Sequence, residues 1–175
     1  IRDVSESRGL GDVYQRQILF KIQYPAEFHA QTAVEAAIKL HESVASKLEI
    51  IDKIVIRTQE PAIRIISKVG KLANAADRDH CIQYMVAVGL IFGDLIAEYY
   101  EDDFHQENQL IDKLRDKMII EEDNQFSMDY LDPEKRSIAN AVQVFFNDGT
   151  CSNDIQIEYP IGHKKRREEG IPSVS

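Results

Sequence analysis

The stretch from Lys21 to Glu35 reads K-I-Q-Y-P-A-E-F-H-A-Q-T-A-V-E, and the pattern around it predicts a strand, a turn and a helix. Before the turn, Tyr14 to Ile22 alternates apolar and polar residues, which favours a β-strand. Pro25 restricts Tyr24 to extended conformations and has no N–H for a strand ladder, so the chain is expected to turn there. An apolar pattern of helical period begins near Thr32.

Polar side chains gather at this predicted strand-to-helix transition, and they are Lys21, Glu27, His29 and Gln31. Free backbone N–H groups at the start of a helix attract anions, and a histidine titrates near neutral pH. His29 is therefore a candidate acid or base, and Lys21 is a second candidate on the less apolar face of the strand. The alternative is that Glu27 and His29 only cap the following helix.

The segments that follow predict an α+β fold with a small mixed sheet of four or five strands and helices on one face. The helical pattern from Thr32 to Leu48 and the Ile- and Val-rich strand from Ile50 to Thr58 complete a candidate β-α-β unit with Tyr14 to Ile22. Glu60-Pro61 then opens a short helix that stops near Gly70.

The most apolar element runs from Asp77 to Leu95 and is predicted as one buried helix. Its polar first turn, which includes Arg78 and His80, is expected to be exposed or to line a cleft. Arg78 and Arg64 are candidates for binding carboxylates because a guanidinium group makes two parallel hydrogen bonds to a carboxylate. For each arginine taken singly, an ion pair within the protein is the alternative.

The later segments predict smaller elements. These are two short helices (Ile96 to Tyr100 and Gln106 to Asp116), a short strand (Met118 to Glu121) and a polar connection (Glu122 to Lys135). Ile138 to Phe146 and Ile155 to Tyr159 are predicted as a β-hairpin around the turn signal Asn147-Asp148-Gly149. No regular structure is predicted after His163.

Composition excludes several classes of function. The chain has 175 residues, of which 43% are hydrophobic and 29% charged, as is typical of a soluble globular domain. Its net charge of -9 argues against nucleic acid as a partner, and no apolar run has the length of a membrane helix. The two cysteines cannot supply the three thiolates of an aconitase-type cluster. The five histidines lack metal-ligand spacing, so no metal or other cofactor is expected.

Four stretches of the chain resemble the MmgE/PrpD family of enzymes. They are Y-P-A-E-F-H-A-Q-T-A-V-E-A-A from Tyr24, A-D-R-D-H-C-I-Q-Y-M-V-A from Ala76, D-P-E-K-R-S-I-A-N-A from Asp132 and E-Y-P-I-G-H from Glu158. The resemblance covers nearly the whole chain. Because such enzymes are much longer, it implies that the chain is the C-terminal portion of one.

The resemblance also implies an architecture and a reaction. A large helical domain and a smaller α/β lid would enclose the active site, and the enzyme would act without metal or cluster as a homodimer. The two cysteines, far apart and without CxxC spacing, separately predict a reducing, cytoplasmic compartment. The implied reaction is dehydration of a tricarboxylate, 2-methylcitrate, to 2-methyl-cis-aconitate in the methylcitrate cycle of propionate breakdown. Residues 1–12 would form a linker, 13–162 the lid-type domain and 163–175 a tail toward a missing C-terminal segment. The helix from Asp77 to Leu95 is alternatively assigned to the helical domain.

These considerations define the candidate site. The catalytic candidates are His29, Lys21 and His80, and the substrate-binding candidates are Tyr24, Glu27, Gln31, Arg64, Arg78 and Asp77. In the wider family the matching motif is often K-x-Y-P-x-C-x-x-T-H-x-A-I-D, whose Lys and His are active-site residues. Aligned on Tyr24-Pro25, this chain has Ile22 and Gln31 at those two positions.

Two other functions stay open from the sequence. One is a related lyase, decarboxylase or epimerase of the same family that acts on another polycarboxylate. The other is that this segment alone is a folded but inactive lid or dimerisation module, because half of an active site between two domains has no catalytic activity.

Overall fold

The computed structural model describes residues 23–169. This part of the chain forms a four-stranded mixed sheet, and most of the helices pack on one face of it. The α+β fold predicted from the sequence is therefore confirmed. The predicted strand from Tyr14 to Ile22, and Lys21 with it, lies outside the described residues.

The sheet has the strand order β2-β1-β3-β4. The strands are β1 (Ile51–Thr58), β2 (Met118–Glu122), β3 (Asn140–Phe146) and β4 (Ile155–Ile157). Strand β1 is parallel to β2 and antiparallel to β3, and β3 and β4 form the antiparallel hairpin that the sequence predicts.

Seven α-helices lie within the described residues. They are α1 (Gln31–Val44), α2 (Glu60–Ile66), α3 (Ala75–Asp79), α4 (Ile82–Phe92), α5 (Asp102–Glu107), α6 (Leu110–Arg115) and α7 (Asn124–Leu131). Four short 3₁₀ segments connect or extend them: Phe28–Ala30, Ala45–Ile50, Ala97–Tyr100 and Lys164–Glu169.

The main core lies between the sheet and the crossing pair α1 and α4. Alternate residues of β1 and β3, such as Ile54 and Val142, point into this core because side chains of a strand alternate between faces. Helix α4 approaches α1 closely at Gly89, where a Cβ atom would lie 3.0 Å from the Cβ of Ala37. A smaller cluster of Phe126, Ala139 and Ala141 forms where α7 packs near the start of β3.

The prediction of one helix from Asp77 to Leu95 is wrong, because the helix breaks at His80 and Cys81. His80 has φ -108° and ψ 32°, and Cys81 is extended with φ -128° and ψ 106°. Arg78, before the break, donates to the carbonyl oxygen of Tyr100, while α4, after the break, lies in the core. Apolar periodicity alone does not reveal such a break when no Gly or Pro marks it.

Three smaller predictions also differ from the structure. The connection from Glu122 to Lys135 contains α7, whose first turn is capped by Asp123 accepting hydrogen bonds from the N–H groups of Gln125 and Phe126. Asp102 and Asp103, which lie between the two predicted short helices, begin α5, where the helix dipole favours acidic residues. Residues 164–169 form two short 3₁₀ turns with a kink at Arg166.

Gly93 ends α4 in a left-handed conformation, with φ 68°, against the ring of His41. We expect Gly93→Ala to destabilise the fold by about 2–4 kcal/mol, since strain at positive φ adds to a Cβ placed 2.6 Å from His41 Cδ2. Gly149→Ala is the matched control, because Gly149 has φ 81° but no heavy atom within 4 Å of its built Cβ. Urea unfolding of both variants measures the difference. Equal losses in the free energy of unfolding of the two variants would show that the His41 ring moves aside freely.

Candidate active site

The imidazole of His29 is held between a carboxylate and a phenol just before α1. Its Nδ1 lies 3.0 Å from Glu27 Oε1, and its Nε2 lies 3.2 Å from the hydroxyl oxygen of Tyr130 on α7. The backbone N–H of His29 donates to Glu27 Oε2 at 2.7 Å. The side chains of His29 and Glu27 are only 10% and 15% exposed. The structure therefore presents a buried, ordered line of three proton-exchanging groups.

Glu27 has the capping role considered from the sequence and a second contact that the sequence did not predict. It is the N-cap of the 3₁₀ segment Phe28–Ala30, and its carboxylate also holds the ring of His29. Burial raises the pKa of Glu27, but the hydrogen bonds from His29 and the charges of His29 and His80 more than offset this, so that the pKa is lowered. A carboxylate that stays ionised stabilises a protonated imidazole beside it.

Gln31 and Tyr24 are brought together at the turn that Pro25 begins. The side-chain amide of Gln31 donates to the carbonyl oxygens of Tyr24 and Ala26 at 2.9 and 2.8 Å. Tyr24 is almost fully buried, and this burial raises the pKa of its hydroxyl group. The Gln31 amide thus fixes the backbone that leads into His29.

Asn140 and Thr32 tie the start of β3 to the start of α1. The amide of Asn140 donates to the carbonyl oxygen of His29 at 2.8 Å and to Thr32 Oγ1 at 2.7 Å, while Thr32 donates to the carbonyl of Ile138 at 2.6 Å. These contacts join residues more than one hundred positions apart, so sequence reasoning missed their roles. The only available signal was that Asn140 lies in one of the four family-like stretches.

Three buried polar atoms in this region have no hydrogen-bond partner among residues 23–169. They are Gln31 Oε1, Gln59 Nε2 and Asn140 Oδ1. Gln59 follows β1 directly, and Asn140 begins the antiparallel neighbour β3, so both residues lie at the same end of the sheet. Buried polar atoms usually have partners, so these three are available to a ligand or to another part of the protein.

His80 lies at the exposed end of α3, half exposed, with its Nδ1 3.4 Å from Asp79 Oδ2. Asp77 instead holds the start of α3: its carboxylate accepts the N–H of Ala73 and pairs with Lys68. These hydrogen bonds lower the pKa of Asp77, and the one from the Ala73 N–H has the largest effect.

The two arginine candidates lie in different settings. Arg78 is buried, and its guanidinium donates to the carbonyl oxygen of Tyr100 at 2.6 Å and to the carboxylate of Asp102. Arg64 is exposed on α2 and lies 3.7 Å from Glu60, one turn earlier. The structure therefore does not bring either guanidinium into contact with His29, and each has an acidic partner within the chain.

Among residues 23–169, no group of three or more His, Cys, Asp or Glu side chains is placed to hold a metal ion. No helix in that range combines the length and the apolar character needed to cross a membrane.

The arrangement occurs in a segment with clear relatives. A family model described as the MmgE/PrpD C-terminal domain matches residues 24–175. The chain belongs to the MmgE/PrpD family. The match begins at Tyr24, so it includes the whole line from Glu27 to Tyr130 that the structure assembles.

Several members of the MmgE/PrpD family are close to this chain in sequence. A 2-methylcitrate dehydratase of Escherichia coli (strain K12) is 54% identical over 170 residues, which are 95% of this chain and 35% of the relative. A probable 2-methylcitrate dehydratase of Saccharomyces cerevisiae is 54% identical over 95% of this chain and 33% of its own length. A mitochondrial 2-methylcitrate dehydratase of Yarrowia lipolytica is 51% identical over 94% of this chain and 32% of its own length. The chain thus spans about a third of these relatives.

Proposed function

We propose that this chain is the C-terminal part of a hydro-lyase that dehydrates 2-methylcitrate to 2-methyl-cis-aconitate in propionate breakdown. One observation carries the proposal: relatives named 2-methylcitrate dehydratase match 94–95% of the chain at 51–54% identity. The buried line of Glu27, His29 and Tyr130 supports it, because dehydration requires groups that move protons.

In this proposal His29 is an acid or base whose ring orientation Glu27 fixes. His80 and Lys21 are the other catalytic candidates, and Lys21 lies outside the described residues. Tyr24, Glu27 and Gln31 are proposed to shape the site around the substrate. Substrate binding by Arg64, Arg78 and Asp77 stays a prediction. Each of these residues also forms an ion pair within the chain, which supports a structural role.

The proposal includes partners and a location. The substrate is a small tricarboxylate, and a helical domain of the same longer chain would complete the cleft, without any cofactor. A homodimer in the cytoplasm is the expected state. Light scattering of the purified full-length protein would test the dimer, and fractionation of cells that express it would test the location.

The decisive experiment compares the full-length parent protein with the 175-residue chain alone. We expect the parent to form 2-methyl-cis-aconitate from 2-methylcitrate, detected by NMR or by absorbance of the new double bond. The isolated chain is expected to be inactive at the same concentration, because the site lies between two domains. Lyase activity of the isolated chain would contradict the second expectation. Turnover only of another polycarboxylate by the parent would contradict the proposed substrate.

A further inference from the structure

The hydrogen-bond partners of His29 indicate which of its two ring nitrogens carry a proton. A carboxylate can only accept hydrogen bonds, so the Nδ1 facing Glu27 carries a proton. The Nε2 of a neutral ring would then accept the Tyr130 hydroxyl proton, and the Nε2–H of a charged ring would donate to the Tyr130 oxygen. In either state a proton lies between Nε2 and the phenol oxygen, 3.2 Å apart.

Tyr130 forms the end of this line opposite Glu27. His29, in the middle of the line, is buried, whereas Glu27 and Tyr130 at its two ends are partly exposed. The rings of His29 and Tyr130 also pack at 5.6 Å between centroids, which limits the movement of the phenol away from Nε2. A substrate that approaches from the Tyr130 end of the line therefore meets the Tyr130 hydroxyl before it meets Nε2.

We propose that Tyr130 is a catalytic residue, the general acid that protonates the leaving hydroxyl of the substrate. This inference rests on the proposed function. As the carbon–oxygen bond breaks, its electron pair goes to the leaving oxygen, which takes the Tyr130 proton and departs as water. The tyrosinate takes the Nε2 proton of the His29 imidazolium.

The remaining atoms balance within the site. The C–H bond on the neighbouring carbon supplies the electron pair of the new double bond, and its proton goes to the base of the site, for which His80 is the candidate. Solvent then returns a proton to His29 and removes one from the base. Glu27 stays ionised throughout and stabilises the imidazolium before each cycle.

The first test is Tyr130→Phe in the full-length protein, which keeps the ring and removes the hydroxyl. We expect kcat for 2-methylcitrate dehydration to fall by about 100-fold or more, with KM nearly unchanged, since general acid catalysis contributes about 10²–10⁴-fold. Tyr99→Phe is the matched control, because Tyr99 packs among Phe92 and Phe104, away from His29, and should leave kcat unchanged.

A second measurement separates proton transfer from a structural role. A fluorinated tyrosine at position 130 lowers the phenol pKa without removing the hydroxyl, so the alkaline limb of the kcat–pH profile should move to lower pH. A merely structural tyrosine would leave that limb in place. Full activity of Tyr130→Phe, or an unmoved limb, would overturn the role of Tyr130 alone. Failure of the unaltered protein to dehydrate 2-methylcitrate would overturn the proposed function together with it.

Discussion

Replacing His29 with glutamine in the full-length protein is expected to lower kcat for 2-methylcitrate dehydration by about 10²–10⁴-fold. A glutamine amide can still donate to Glu27 and fills a similar space, but it cannot gain or lose a proton near neutral pH. The binding contacts around the site should persist, so KM should change much less than kcat. Steady-state kinetics with substrate varied at fixed pH would measure both constants.

His41→Gln is the matched control for this experiment. His41 is also partly buried, and its Nδ1 lies 2.9 Å from the carbonyl oxygen of Leu90 on α4, which is not a residue of the proposed site. Its substitution should leave kcat within a few fold. A His29→Gln variant that keeps its kcat, while folding normally, would reduce His29 and Glu27 to the capping role that the sequence also allowed.

The elements predicted correctly are those whose signals are local. The strand β1 is a run of Ile and Val, helix α1 follows a clear apolar period, and the β3–β4 hairpin surrounds an Asn-Asp-Gly turn signal. Helix α7 was missed because it buries only Phe126 and is otherwise polar, so it has no strong apolar period. Its cap, Asp123, was the available signal.

In the candidate site, too, only the contacts between residues close in sequence could be predicted. Glu27 and His29 are two residues apart, and their pairing could be anticipated from a single stretch of sequence. Tyr130 and Asn140 reach the same histidine from more than one hundred residues away, and only the fold brings them there. Long-range pairing depends on how strands and helices pack, which local spacing does not specify.

Arg78 illustrates how a charged residue in a suggestive place can have a structural role. The sequence placed it, beside His80, in a polar first turn of a helix that was expected to be exposed or to line a cleft. In the structure it is only 1% exposed, because the break after α3 turns its side chain toward the 3₁₀ segment that ends at Tyr100. A buried guanidinium is tolerated only when acceptors satisfy it, and here the Tyr100 carbonyl and the Asp102 carboxylate do so.

We therefore expect Arg78→Met to destabilise the fold by about 2–4 kcal/mol, because the buried Tyr100 carbonyl loses its donor and the α3–α5 connection loses its charged link. Arg64→Met, which removes an exposed arginine with one distant partner, should cost less than about 0.5 kcal/mol. Urea unfolding of the two variants gives the comparison. If Arg78→Met keeps full stability but raises KM for the tricarboxylate, then Arg78 binds substrate. If the variant is less stable but its folded fraction has an unchanged KM, then Arg78 has a structural role.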